Sequence, residues 1–189
     1  MEIVRLTLLI ALLGLALPGL AANPQRSDPE LRALLMDAVK ETAVFQDAYY
    51  AEVWLMDMSN RLQRYVADPY TRIELLKNVH REATRVKVSP ELVLSIIHVE
   101  SLFDPWAISR VGAQGLMQVM PFWLKELKMQ DDSLFDITTN VRMGCTILRY
   151  YLDQEKNLTR ALARYNGSAG SYRYPKKVFK ALDTRWKRN

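Results

Sequence analysis

The chain has 189 residues, 49% hydrophobic and 25% charged, a globular balance with length enough for one domain around a buried core. Its net charge of +5 comes without any nucleic-acid recognition motif, which argues against a DNA- or RNA-binding role. Cys145 is the single cysteine, so an internal disulfide is excluded and packing alone must hold the core.

Residues 1–22 begin with one cation, Arg5, and continue as an apolar run from Leu6 to Leu17. Pro18 and Gly19 break the run, and Ala21 and Ala22 close it with small side chains. This order predicts a secretory signal and an exported chain. The run is short for a membrane span of about 20 residues, and no cysteine follows it for lipid attachment. Residues 23–88 read as an N-terminal helical extension of three helices. Asp28-Pro29 opens the first, which carries Leu31, Leu34, Leu35 and Phe45 at helical spacing. The second is predicted from Ala48 to Val66. The third starts at Asp68-Pro69, another cap-plus-proline pair.

Ser89-Pro90-Glu91 opens a fourth helix whose body, Leu92 to Val99, is apolar nearly all round and therefore central. Residues 103–115 hold Pro105, Gly112 and Gly115, predicting a turn-rich segment with room for a short β-hairpin. Met117 to Met120 reads as one helical turn, and Pro121 starts a helix to Leu127. Further helices are predicted from Asn140 to Gln154, from Thr159 to Tyr165 with a stop at Gly167, and from Pro175 onward. A cationic cluster (Lys176, Lys177, Lys180, Arg185, Lys187, Arg188) fits an anionic envelope polymer or a solvated helix face. With no alternating strand pattern of useful length, the fold class is mainly α.

Glu100 does not fit its surroundings. It ends the central helix, one turn after Ile96 and Ile97. Desolvation on an apolar stripe and the negative end of the helix dipole both favour the protonated carboxyl. That suits a general acid, although a glutamate at a helix end more often turns to solvent or meets an arginine.

The motifs that follow decide the matter. Glu100-Ser101 precedes Ser109, then Gly112-Ala113-Gln114-Gly115-Leu116-Met117-Gln118-Val119-Met120-Pro121, then Asn140, Gly144 and Tyr165-Asn166-Gly167. Over residues 90–178 this resembles the catalytic domain of the soluble lytic transglycosylase family, within the lysozyme-like superfamily. The resemblance implies a lysozyme-like helical domain over 89–189. It also implies cleavage of peptidoglycan strands between N-acetylmuramic acid and N-acetylglucosamine, without water and without a cofactor, leaving a 1,6-anhydro end. Glu100 would be the catalytic acid and then base. Ser109, Gln118, Met120 and Tyr165 would bind substrate, with Ser101, Asn140 and Asn166 in supporting or structural positions. The family usually continues Tyr-Asn with Ala-Gly-Pro; here Gly167-Ser168-Ala169-Gly170 stands instead, predicting a differently shaped lip of the cleft.

Gly144 inside a helix costs about 1 kcal/mol against alanine, so close helix packing is its expected reason. Trp54, Trp106, Trp123 and Trp186 can stack on sugars, but core packing is the default for each. His80 and His98 lack metal-ligand spacing and read as packing or surface residues, so no metal is expected. The N-terminal helices either brace the catalytic domain or bind a protein partner. Two rival functions remain open. A goose-type hydrolytic lysozyme shares the fold and the acid, and many glycosidases pair that acid with a second carboxylate, about 5–5.5 Å away when retaining and about 6.5–9.5 Å when inverting. Of the candidates, Asp104 reads as a turn residue, Asp136 as a cap, and Asp131 and Asp132 as a polar loop. A non-catalytic wall-binding module would have no use for Glu100 or the Gly-Leu-Met-Gln string.

Overall fold

The computed structural model of the protein describes residues 48–187, with side-chain surroundings from Trp54 onward. The expected signal (1–22) and the expected helix from Asp28 to Phe45 lie outside the described residues.

The described residues are mainly helical, as expected. Helix α1 (Ala48–Leu62) ends a turn earlier than predicted, because Tyr65 and Val66 both fold back onto the Leu62 carbonyl. Helix α2 (Pro69–Arg85) is capped by Asp68, whose carboxylate accepts the Thr71 N–H at 2.7 Å. Helix α3 (Pro90–Glu100) is capped by the Ser89 hydroxyl. In both, a proline at the first helical position gives up an N–H that would have had no partner. After the short α4 (Phe122–Glu126), α5 (Ile137–Glu155) begins a turn before its predicted start, at the cap supplied by Asp136. Helix α6 (Leu158–Tyr165) is capped by Asn157. Helix α7 (Arg173–Ala181) takes in Pro175 within its first turn and runs on into a π-helical turn, Leu182–Trp186.

Helix α3 is the hub. Six consecutive residues, Leu92 to Ile97, are buried, and α2, α7 and the π turn pack around it. Helix α5 lies against α2 and α6. The first two helices share this core: Trp54, Met58, Leu62, Leu75 and Leu76 belong to the same apolar cluster as α3 and α5. The Trp54 indole N–H also donates to the Glu91 carboxylate on α3 at 2.9 Å.

The α2–α5 seam carries a fully buried carboxylate, Glu82. Burial alone would raise its pKa. Guanidiniums from Arg142 (3.0 Å), Arg85 (2.7 Å) and Arg81 (3.1 Å) instead hold it below the usual carboxylate range.

Two expectations need correcting. The turn-rich segment makes only isolated antiparallel bridges, Ile108 with Gln114 and Gln114 with Val119, in place of a hairpin of full strands. Residues 117–120 are not a helical turn. The chain turns over 115–118, and Val119 bonds back to Gln114 in both directions, at 3.0 and 2.9 Å. Gln118 reverses the chain with a φ of 52°.

Candidate active site

Glu100 is the last residue of α3. Burial pushes its carboxyl up from an ordinary 4.5 to about 7. Three groups pull in the other direction without winning: the Tyr174 hydroxyl, the Asn166 side chain and the Lys177 ammonium. Asn166 caps the C-terminus of α6, and the other two project from α7. Tyr174 is buried, and its hydroxyl has no hydrogen-bond partner apart from the carboxyl it approaches. Tyr165 belongs to the same neighbourhood. Burial raises its phenol well above the usual range, and the Glu100 charge pushes it further the same way.

The chain leaves Glu100 through a strained corner. Leu102 and Phe103 are consecutive non-glycine residues with φ of 52° and 67°, conformations that cost about 1–3 kcal/mol each and persist only where packing over-determines them. Phe103 is so held. Its ring lies 5.2 Å from Trp186 and 5.3 Å from Tyr65, with His98 in the same cluster. The Ser101 hydroxyl donates to the Leu116 carbonyl at 2.9 Å, tying the end of α3 to the Gly-Leu-Met-Gln loop.

Three residues clamp Met117 in that loop. The Asn140 side chain accepts its N–H at 2.8 Å, and the Tyr165 hydroxyl donates to its carbonyl at 2.8 Å. The same Asn140 amide donates to the Leu134 and Gln114 carbonyls. Gly144 gives the Met117 side chain its seat: a Cβ there would lie 2.7 Å from the Met117 Cβ. The close packing expected of Gly144 is therefore against this loop. Gly115 has the same kind of reason, since its φ of 74° and its contact with Asn140 both exclude a side chain.

The residues singled out in the sequence thus fall into two groups. Tyr165 and Asn166 gather at Glu100, with Ser101 and Asn140 bracing the loop beside it. Ser109, Gln118 and Met120 lie on the loop itself, and none is among the groups that perturb the carboxyl. The Ser109 hydroxyl accepts the Ala113 N–H at 3.0 Å, and the Gln118 amide donates to the Gly115 (3.0 Å) and Ala107 (3.2 Å) carbonyls. Met120 is half-buried against the core.

Sequence reasoning missed Tyr174 and read Lys177 only as part of the cationic cluster, not as a neighbour of Glu100. A signal for the first existed: Tyr174, Val178 and Ala181 recur at i, i+4 and i+7, which puts a phenol on an inward stripe.

The rival carboxylates are occupied elsewhere or exposed. Asp104 accepts the Trp106 N–H at 2.9 Å, Asp136 caps α5, and Asp131 and Asp132 face solvent. No carboxylate is among the groups acting on Glu100. His80 packs edge-on against Trp54, and His98 sits within the aromatic cluster.

A family model described as the transglycosylase SLT domain matches residues 77–186. A transglycosylase of Enterobacteria phage PRD1 is 33% identical over 108 residues, covering 53% of this chain and 40% of that protein. Membrane-bound lytic murein transglycosylase C of Yersinia pestis is 36% identical over 110 residues, 49% of this chain and 31% of its own length. Membrane-bound lytic murein transglycosylase F of Desulfosudis oleivorans is 29% identical over 157 residues, 77% of this chain and 34% of its own. The alignments span well under half the length of these relatives. Since the family match covers more than half of the chain and includes Glu100, the loop and both tyrosines, the chain belongs to the transglycosylase SLT-domain family.

Proposed function

We propose that this protein is a peptidoglycan lytic transglycosylase acting in the cell envelope, with Glu100 as its catalytic acid and base. The observation that carries the reading is the Glu100 carboxyl at the end of α3, raised by burial to about 7 beside Tyr174, Asn166 and Lys177. At that pKa both protonation states are accessible near neutral pH, as one group serving first as acid and then as base requires.

Glu100 donates its proton to the bridging oxygen as the bond between N-acetylmuramic acid and N-acetylglucosamine breaks. Positive charge then develops at the anomeric carbon. The muramic C6 hydroxyl attacks that carbon, the ionised Glu100 takes the hydroxyl proton, and a 1,6-anhydro ring closes with the acid restored. Most glycoside hydrolases add a second carboxylate that positions water or attacks the carbon itself. The Tyr174 hydroxyl and the Asn166 side chain, which hydrogen-bond the Glu100 carboxyl, favour its ionised form in the second half of the cycle. Ser109, Gln118 and Met120 are assigned to the substrate-binding surface, while Tyr165, buried with its hydroxyl on the Met117 carbonyl, holds the loop beside Glu100. Export rests on the apolar run Leu6 to Leu17 behind Arg5.

Mass spectrometry of products from purified sacculi tests this reading. Anhydro-muramic ends, lighter than reducing ends by one water, are the expected product. Reducing ends as the main product would make the protein a lysozyme. Intact sacculi would leave it a binding module.

A further inference from the structure

Four tryptophans occur in the chain, and three of them, Trp54, Trp123 and Trp186, are buried to within 1%. Trp106 is the exception at 69% exposed. It is not a scattered case: Leu102, Ile108 and Val111 of the same segment are exposed too, and exposed apolar residues that occur together mark a contact site where single ones do not.

Its surroundings supply one. The Trp106 backbone N–H donates to the Asp104 carboxylate at 2.9 Å, in the corner that leads away from Glu100. The next residue, Ala107, accepts hydrogen bonds from Gly115 N–H (2.9 Å) and from the Gln118 amide (3.2 Å). Trp106 is therefore pinned to the rim of the loop that carries Gln118. One neighbour supports its ring: Phe135, with centroids 5.5 Å apart and planes inclined by 35°. Phe135 is itself held, its N–H bonded to the Ser133 hydroxyl at 3.1 Å. The arrangement is a flat indole face, backed by a second aromatic and open to solvent, on the segment that joins Glu100 to the loop.

We infer that Trp106, backed by Phe135, is a stacking platform for a pyranose ring of the glycan strand. The apolar C–H face of a β-1,4-linked sugar is flat, and an exposed indole offers it area with few rotatable bonds to fix. The inference rests on the peptidoglycan reading above and adds a subsite to it.

Because the other tryptophans are buried, the part of the emission that acrylamide quenches reports on Trp106. A full-length Glu100→Gln protein is titrated with the tetramer of β-1,4-linked N-acetylglucosamine, which it binds without turnover. Saturable binding is expected to shift emission to the blue and to protect it from acrylamide. In that background Trp106→Ala should weaken binding by calorimetry about tenfold, the magnitude of one aromatic contact, and Trp106→Phe should recover part of it. Phe135→Ala should fall between. Tetramer affinity unchanged in Trp106→Ala, or binding that leaves emission and quenching unaltered, overturns the platform. Sacculus digestion by the unmodified chain is scored separately. Lysis without any role for Trp106 leaves the lyase reading standing, and sugar binding without lysis removes the lyase reading alone.

Discussion

Glu100 shows how one residue's setting becomes a measurable pH dependence. Its carboxyl titrates at about 7 when folded against an ordinary 4.5. The folded state therefore holds a proton that the unfolded chain releases. The stability this contributes is complete below about 4.5 and is lost as pH rises through about 7. Glu100→Gln keeps the shape and removes the titration. Urea melts should show wild type losing about 2–3 kcal/mol relative to the variant between about pH 5 and pH 8, while the variant leaves sacculi undigested. Equal pH dependence in the two proteins would contradict the burial seen at this carboxyl. Tyr174→Phe removes the hydroxyl that does most to lower the Glu100 pKa. The alkaline limb of the activity profile should then move to higher pH, an effect that a purely structural tyrosine would not produce. Tyr165→Phe is a different case: it strips the hydrogen bond from the buried Met117 carbonyl, with an expected cost of about 1–3 kcal/mol. Its loss of lytic activity should accompany a lower melting temperature.

At the scale of elements, two seams hold the parts that position the carboxyl. Between α2 and α5, Glu82 is buried among three arginines. Removing its charge leaves guanidiniums without their partner, so Glu82→Gln should cost about 3–5 kcal/mol. Because the Glu82 pKa is depressed in the folded protein, its contribution is present above the ordinary carboxylate value and is lost as pH falls through the folded one. The wild-type advantage over Glu82→Gln should accordingly shrink in acid, the opposite sense to Glu100. Between α5 and the loop, Gly144→Ala drives a methyl into Met117. Overpacking of that kind costs about 1–3 kcal/mol. Since Met117 is also tied to Tyr165, the variant should lose more activity than its melting temperature alone accounts for.

For the whole molecule, the family match begins at Lys77, yet the core begins earlier. Trp54, Met58, Leu62, Leu75 and Leu76 are each at most 1% exposed within the shared cluster. A chain started at Lys77 would uncover the faces of α2 and α3 that they cover. It should be recovered as an aggregate or as a protein without a cooperative melt, and a sharp melt with normal lysis would show that α1 is dispensable. At the other end, Trp186 closes the aromatic cluster behind Phe103. Trp186→Ala should cost about 3–5 kcal/mol and loosen the corner that follows Glu100.

Local chemistry was enough to read the existence of the longer described helices, though not every boundary or the turn at 117–120, because caps and periodicity act over one or two turns. Asp68, Ser89 and Asp136 mark helix starts by accepting N–H groups three residues on, and an apolar run announces α3 as central whatever packs around it. The catalytic-domain motif was legible for the same reason, being a continuous string with Glu100 at its head. What lay beyond the sequence was every relation between distant segments. The Tyr165 hydroxyl can point at substrate or at a backbone carbonyl, and only the packing of α6 against the loop directed it to Met117. Tyr174 is separated from Glu100 by 73 intervening residues, so no spacing rule could join them. Trp106 shares its residue type with three buried tryptophans, and exposure is a property of neighbours that a sequence does not contain. The pKa of Glu100 combines both levels: its place on an apolar stripe was written locally, whereas the groups that oppose the shift come from α6 and α7, brought there by the fold.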